Sequence, residues 1–213
     1  YLGGAGGAST ISNTTVTVGT AGSFNSITVT NAAWLTSGAA TIGSGASNNT
    51  ITIRENGVWN PAGHTIVIGS GAATGNALVV SGGLVTNLGQ ISVSSQNALY
   101  LDGGTLAAGA NGSLLGGAGG AFIRSGGATI DTLGLAVTNG LVLQQDSGST
   151  GGGLTKRGVG TLTLVGASTY SGPTIVSAGL LRVNGSTSTG AVTVASGGTL
   201  GGTGTFGGAA TVH

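Results

Sequence analysis

Apolar residues recur in pairs two positions apart, and the pairs themselves return every 19 to 27 residues along most of the chain. They are Ile27/Val29, Ile51/Ile53, Leu78/Val80, Leu99/Leu101, Ala121/Ile123, Leu141/Leu143, Leu162/Leu164 and Leu181/Val183. Successive side chains of a strand point to opposite faces, so each pair predicts a short strand with one apolar side. One strand and one turn cannot bury that side alone. Stacked copies can, and a period in this range therefore predicts a β-solenoid. A coil of ~20 residues holds three short strands and three turns, which is one rung of a parallel β-helix. The chain is long enough for about nine or ten coils, a rod of roughly 45 Å at ~4.8 Å per strand. The expected fold is all-β, a single solenoid over 1–213. Ile27, Val29, Ile51, Ile53, Leu78, Val80, Leu99, Leu101, Leu162 and Leu164 form its core, with the pairs stacked in rows.

The polar positions repeat as well. Asn76-Ala77-Leu78-Val79-Val80-Ser81-Gly82-Gly83 returns as Asn97-Ala98-Leu99-Tyr100-Leu101-Asp102-Gly103-Gly104, a step of 21. Asn25 and Asn49 hold the same offset in earlier copies. An amide donates and accepts, so Asn25, Asn49, Asn76 and Asn97 predict a corner ladder along the rod axis. Asn also tolerates the left-handed backbone of a tight corner. Ile42-Gly43-Ser44-Gly45-Ala46 recurs as Ile68-Gly69-Ser70-Gly71-Ala72, which places another turn in each coil. Asn60-Pro61-Ala62-Gly63-His64 reads as a longer loop. No stretch of helical length carries helical periodicity with caps.

Composition narrows the function. Glycine is 47 of 213 residues and only nine are charged, for a net charge of +1. The alternating β-branched and aliphatic residues separate this chain from disordered glycine-rich sequences. Its basic residues are scattered except for Lys156-Arg157, so no patch exists to neutralise phosphates, and nucleic acid is not an expected partner. No apolar run reaches the length of a spanning helix. The start at Tyr1 points to a mature or excised piece. The absence of cysteine removes disulfides, thiolate catalysis and zinc–sulfur sites. A cysteine-free, Thr/Ser/Asn/Gly-rich chain suits the bacterial surface or the extracellular space.

From Gly151 to about Val212 the sequence resembles the autotransporter-associated β-strand repeat, also called the passenger-associated transport repeat. The resemblance rests on Gly153-Leu154-Thr155-Lys156-Arg157-Gly158-Val159-Gly160-Thr161-Leu162-Thr163-Leu164, then Ser168-Thr169-Tyr170-Ser171-Gly172-Pro173-Thr174, Ala178-Gly179-Leu180-Leu181 and Ser196-Gly197-Gly198-Thr199-Leu200. Pro173 stands where the family favours Gly, and Arg157 where it often has Thr. The resemblance implies a right-handed β-helix outside the cell, in the passenger of a surface protein, aiding secretion or displaying an adhesive surface. An outer-membrane barrel would belong only to a longer chain.

Chemistry for catalysis is sparse. The acids are Glu55, Asp102, Asp131 and Asp146, and the 29 residues between Asp102 and Asp131 do not match one coil. Paired carboxylates for glycoside chemistry are therefore not expected. Asp does not repeat at the spacing of calcium-binding nonapeptides, and His64 is the one internal His. The expectation is no catalytic residue, no metal and no cofactor. Trp34 and Trp59, 25 apart, fall on adjacent coils, as a ligand-contacting pair if exposed or as core filler if buried. The leading reading is a non-enzymatic β-helical stalk. One rival is an extracellular filament subunit that self-associates end to end through Tyr1–Val18 and Gly197–His213. Another is a β-helix that binds or degrades carbohydrate, its partner a host-cell or glycan surface.

Overall fold

The computed structural model describes residues 9–213, so the first eight positions of the expected Tyr1–Val18 joint lie outside the described residues. Among the described residues the regular elements are all β-strands, and the ladders between them are parallel. One coil shows the plan. Ser26–Thr30, Ala32–Thr36 and Ala40–Ser44 follow one another around the axis, each in a different sheet. Repetition builds three sheets of ten, nine and six strands, the solenoid that the apolar period predicts.

Register follows the period-2 pattern because a slip of one residue would turn every apolar side chain to solvent. In the six-stranded sheet Ile27, Ile51, Leu78, Leu99, Ala121 and Leu143 form one inward row. Val29, Ile53, Val80, Leu101 and Ile123 form the next. All of these are buried except Ile27, which is partly buried at the first strand of the sheet. The ten-stranded sheet contributes the row Ile11, Trp34, Trp59, Val85, Leu106, Ile130, Lys156, Val176, Val194, Val212.

Three sequence expectations change. The eight pairs do not make one ladder. Leu162/Leu164 and Leu181/Val183 are buried, yet they lie in the nine-stranded sheet. The pair near 141–143 is displaced too: Leu143 opposes Ala121 and Gln145 opposes Ile123, while Leu141 sits in the preceding corner. Nor is the coil count uniform. Ten strands stack on the longest side, but the six-stranded sheet ends at Leu143–Gln145, so among the described residues a three-sided coil closes six times.

The end of the six-stranded sheet and the placement of Leu181/Val183 follow from a shortening of the coil; Leu162/Leu164 still stack on Val137 and Asn139 at a full step of 25. Along the ten-stranded sheet the step is 25 from Trp34 to Trp59 and 26 from Ile130 to Lys156. It falls to 20 from Lys156 to Val176 and 18 from Val176 to Val194. The lost residues are those of one strand. Past Gln145 the third side is a loop held by the isolated parallel bridges Ala167–Ser186 and Ser186–Thr205. Tyr170, 1% exposed, turns into the space the strand vacated, and its hydroxyl meets Thr174 Oγ1 at 2.6 Å.

Candidate functional site

The Asn positions occupy the corner that leads into the six-stranded sheet. Asn25 Nδ2 donates to Asn49 Oδ1 at 2.9 Å, Asn49 Nδ2 to Asn76 Oδ1 at 2.9 Å, and Asn76 Nδ2 to Asn97 Oδ1 at 3.0 Å. Each acceptor oxygen also takes the backbone N–H of the Asn one coil earlier, at 2.9–3.0 Å. The row closes at Asn97, whose Nδ2 donates to the carbonyls of Ala73 and Ser95. Asn49, Asn76 and Asn97 are buried and Asn25 is exposed.

The left-handed backbone is not at these asparagines. It lies one residue earlier, at Phe24, Asn48, Gly75 and Gln96, with φ of 63°, 59°, 68° and 61°. The corner bends before the ladder, which leaves the Asn in the strand-entry conformation that aims its amide along the axis. A second set of residues makes room. Gly43 and Gly69 are the penultimate residues of strands in the nine-stranded sheet, with φ of 79° and 77°, and a Cβ on Gly43 would overlap the amide of Asn76 and one on Gly69 that of Asn97. The repeated Ile-Gly and the repeated Asn are therefore two halves of one packing unit.

Trp34 and Trp59 stack with centroids 4.9 Å apart and planes 19° apart. They are 3% and 0% exposed, so neither indole offers a face to a ligand. The alternation puts them on the inner side with Ile11 and Val85, and their N–H groups find Asn13 Oδ1 and Thr36 Oγ1. These indoles fill the core.

The carboxylates do not converge. Glu55 is exposed at a turn. Asp102 accepts from the Gly126 N–H and Asp131 from the Leu133 N–H, while Asp146 pairs with Arg124 at 2.7 Å. His64 is exposed in the Pro61–His64 turn, closed by its own N–H to the Pro61 carbonyl. Among the described residues no group of three His, Asp or Glu comes together to hold a metal.

Lys156 is the polar group that the alternation did not lead us to single out. It is 0% exposed, in an inward row between Ile130 and Val176. Its Nζ donates to Thr132 Oγ1 at 3.1 Å, Arg157 O at 2.9 Å, Gly158 O at 2.5 Å and Ala178 O at 2.9 Å. Those partners belong to three successive coils. Burial pushes the ammonium below the usual lysine range, and the Asp131 charge draws it part of the way back. The signal was present in Leu154-Thr155-Lys156, where Leu154 and Lys156 must share a face.

Residues 154–183 match the passenger-associated-transport repeat. The match runs from the strand carrying Lys156, through the loop carrying Tyr170, to the strand Gly179–Val183. It thus covers the place where the coil shortens. The chain is also similar to the adhesin BmaC autotransporter of Brucella suis biovar 1 (strain 1330), 49% identical over 63 residues. That stretch is 29% of this chain and 2% of the length of that relative. No solved structure matches the chain.

Outside the core, a second aromatic pair lies on the six-stranded sheet. Tyr100 and Phe122 occupy one outward row in register, with ring centroids 5.3 Å apart and planes 23° apart. The Arg124 guanidinium rests 4.2 Å from the Tyr100 ring centroid and is held there by Asp146. Alternation marks both rings as outward, since Leu99, Leu101, Ala121 and Ile123 on either side of them are inward.

Proposed function

We propose that this chain is part of the β-helical passenger of a bacterial surface protein, a non-enzymatic stalk standing outside the cell. It assists export or carries an adhesive surface. The observation that carries the reading is the match at 154–183 on an unbroken stack. The ladders run through the matched strands into both neighbours without a change of direction. The chain therefore offers a continuous rod whose stacked apolar rows are internal. Such a rod holds distance and displays side chains at fixed intervals along its sheets. The similarity to a stretch of an adhesin supports the same placement.

Antibodies to residues 9–213 test the location. Intact cells of the source bacterium are expected to be labelled, and brief protease treatment of those cells is expected to remove the signal. Labelling that appears only after lysis would overturn the reading. Deleting 154–183 from the gene tests the export role, with less of the protein expected at the surface for the same amount synthesised.

A further inference from the structure

We infer that the groove beside Tyr100 and Phe122 is a binding site for a neutral oligosaccharide lying along the rod. The groove has a volume of about 480 Å³, within the range of small-ligand sites. Its floor is the outward row Ala77, Ala98 and Gly120, three consecutive coils in register. Tyr100, Phe122 and Gln144 make one side, two residues further along each strand. The corner residues Gln96 and Ala118 are on the other side.

The chemistry of the lining selects the occupant. No Asp, Glu, Lys, Arg or His lines the groove, and its polar side chains are amides and the Tyr100 hydroxyl. The Asn76 and Asn97 amides are committed to the corner ladder, which leaves Gln96 and Gln144; an amide both donates and accepts, which suits the hydroxyls of a sugar and gives no preference for an ion. Phe122 stacks against Tyr100 and Arg124 lies over the Tyr100 ring, so a sugar meets the apolar ring edges and the Tyr100 hydroxyl instead of a bare Tyr100 face. Successive rungs ~4.8 Å apart repeat this surface along the axis, which favours an extended chain over a compact ligand.

The site is also set before a ligand arrives. Phe122 lies back over Gly120, where a Cβ would overlap its ring, so the glycine opens the space the ring uses. Tyr100 is braced between Phe122 and the Arg124–Asp146 pair. Rings already fixed lose little freedom on binding. Trp34 and Trp59, inside the core, take no part.

The test is a panel of immobilised oligosaccharides that includes cellohexaose, chitohexaose and maltohexaose, with hyaluronan and polysialic acid as acidic counterparts. The full chain is expected to retain at least one of the neutral oligosaccharides. Tyr100→Ala and Phe122→Ala are each expected to weaken that binding at least tenfold, and Tyr100→Phe to keep most of it because the ring remains. Thr105→Ala, on the ten-stranded sheet, is expected to change nothing. Both alanine variants are expected to melt within a few degrees of the wild type, since the rings are outside the core. Retention of acidic glycans alone, of no glycan, or equal binding by the alanine variants would each overturn the assignment. So would loss of binding in Tyr100→Ala only when the fold is lost with it, if Tyr100→Phe shows the same loss.

Discussion

Lys156 Nζ donates to the Ala178 carbonyl one coil ahead at 2.9 Å, while the same atom holds Thr132 one coil behind. A strand ladder joins neighbours in pairs. This ammonium joins three coils at a point where the third sheet has already ended. Truncating it would leave a cavity and strand the carbonyls of Gly158 and Ala178. Lys156→Ala is expected to cost roughly 2–5 kcal/mol. Lys156→Met fills the volume without satisfying the carbonyls and is expected to cost less. Urea denaturation of the two variants checks the order.

Alkaline pH is expected to act on this region in two opposed ways. The Lys156 pKa is lowered by burial, so the unfolded chain binds that proton more tightly than the folded one. Stability from this group is lowest at neutral pH and rises as pH climbs from the depressed folded value towards the ordinary 10.5. The Tyr170 pKa is raised above 10.0 by burial, against the pull of its hydrogen bonds to Thr174 and Ser188. Its contribution is intact below pH 10.0 and is lost as pH rises through the folded value. Melting temperature against pH should lose the rise in Lys156→Met and the fall in Tyr170→Phe.

The Asn ladder and its glycines should be energetically coupled. Asn76→Ala removes the acceptor of both Asn49 N–H groups, for roughly 1–3 kcal/mol. Gly43→Ala forces a side chain into φ 79° and into the Asn76 amide. Combined, the two should cost less than the sum of the singles, because the overlap vanishes and only the backbone strain remains. Additive denaturation midpoints would show that the glycine serves the turn alone.

Inside and outside should differ sharply between positions two coils apart. Leu101→Asp places a charge where nothing can pair with it, at a cost of several kcal/mol. Glu55→Gln changes an exposed turn and should stay within about 0.5 kcal/mol. Thermal melts of the two variants measure the gap.

The solenoid was legible because one signal, alternation with a repeat, is both local and cumulative. Asn76 and Asn97 could be aligned by eye, and the register Leu78–Leu99 follows from that alignment. What alternation alone does not encode is which of three equivalent sides a pair occupies. Leu99/Leu101 and Leu162/Leu164 look alike in sequence, and only the accumulated chain length between them decides the sheet. The shortening after Lys156 removes one strand per turn, which a fixed period cannot register. The outer aromatic groove was half visible. Tyr100 and Phe122 are outward by alternation, but their meeting depends on a step of 22 that aligns them in register. The indoles drew attention by type, and their burial follows from the same alternation once Ile11 and Val85 are placed beside them.

The amide row has a further property. Asn25, Asn49 and Asn76 each donate a side-chain N–H to the Asn oxygen of the higher-numbered coil, so the three links of the row run the same way. Three aligned links at coil spacing polarise one another, and each bond strengthens the next. The corner therefore behaves as a small electret, with its negative end at the Asn25 oxygen. Its energy is concentrated at Asn49 and Asn76, which both give and receive. A break there would sever two links and depolarise the remainder, whereas a loss at Asn25 would remove only the terminal unit.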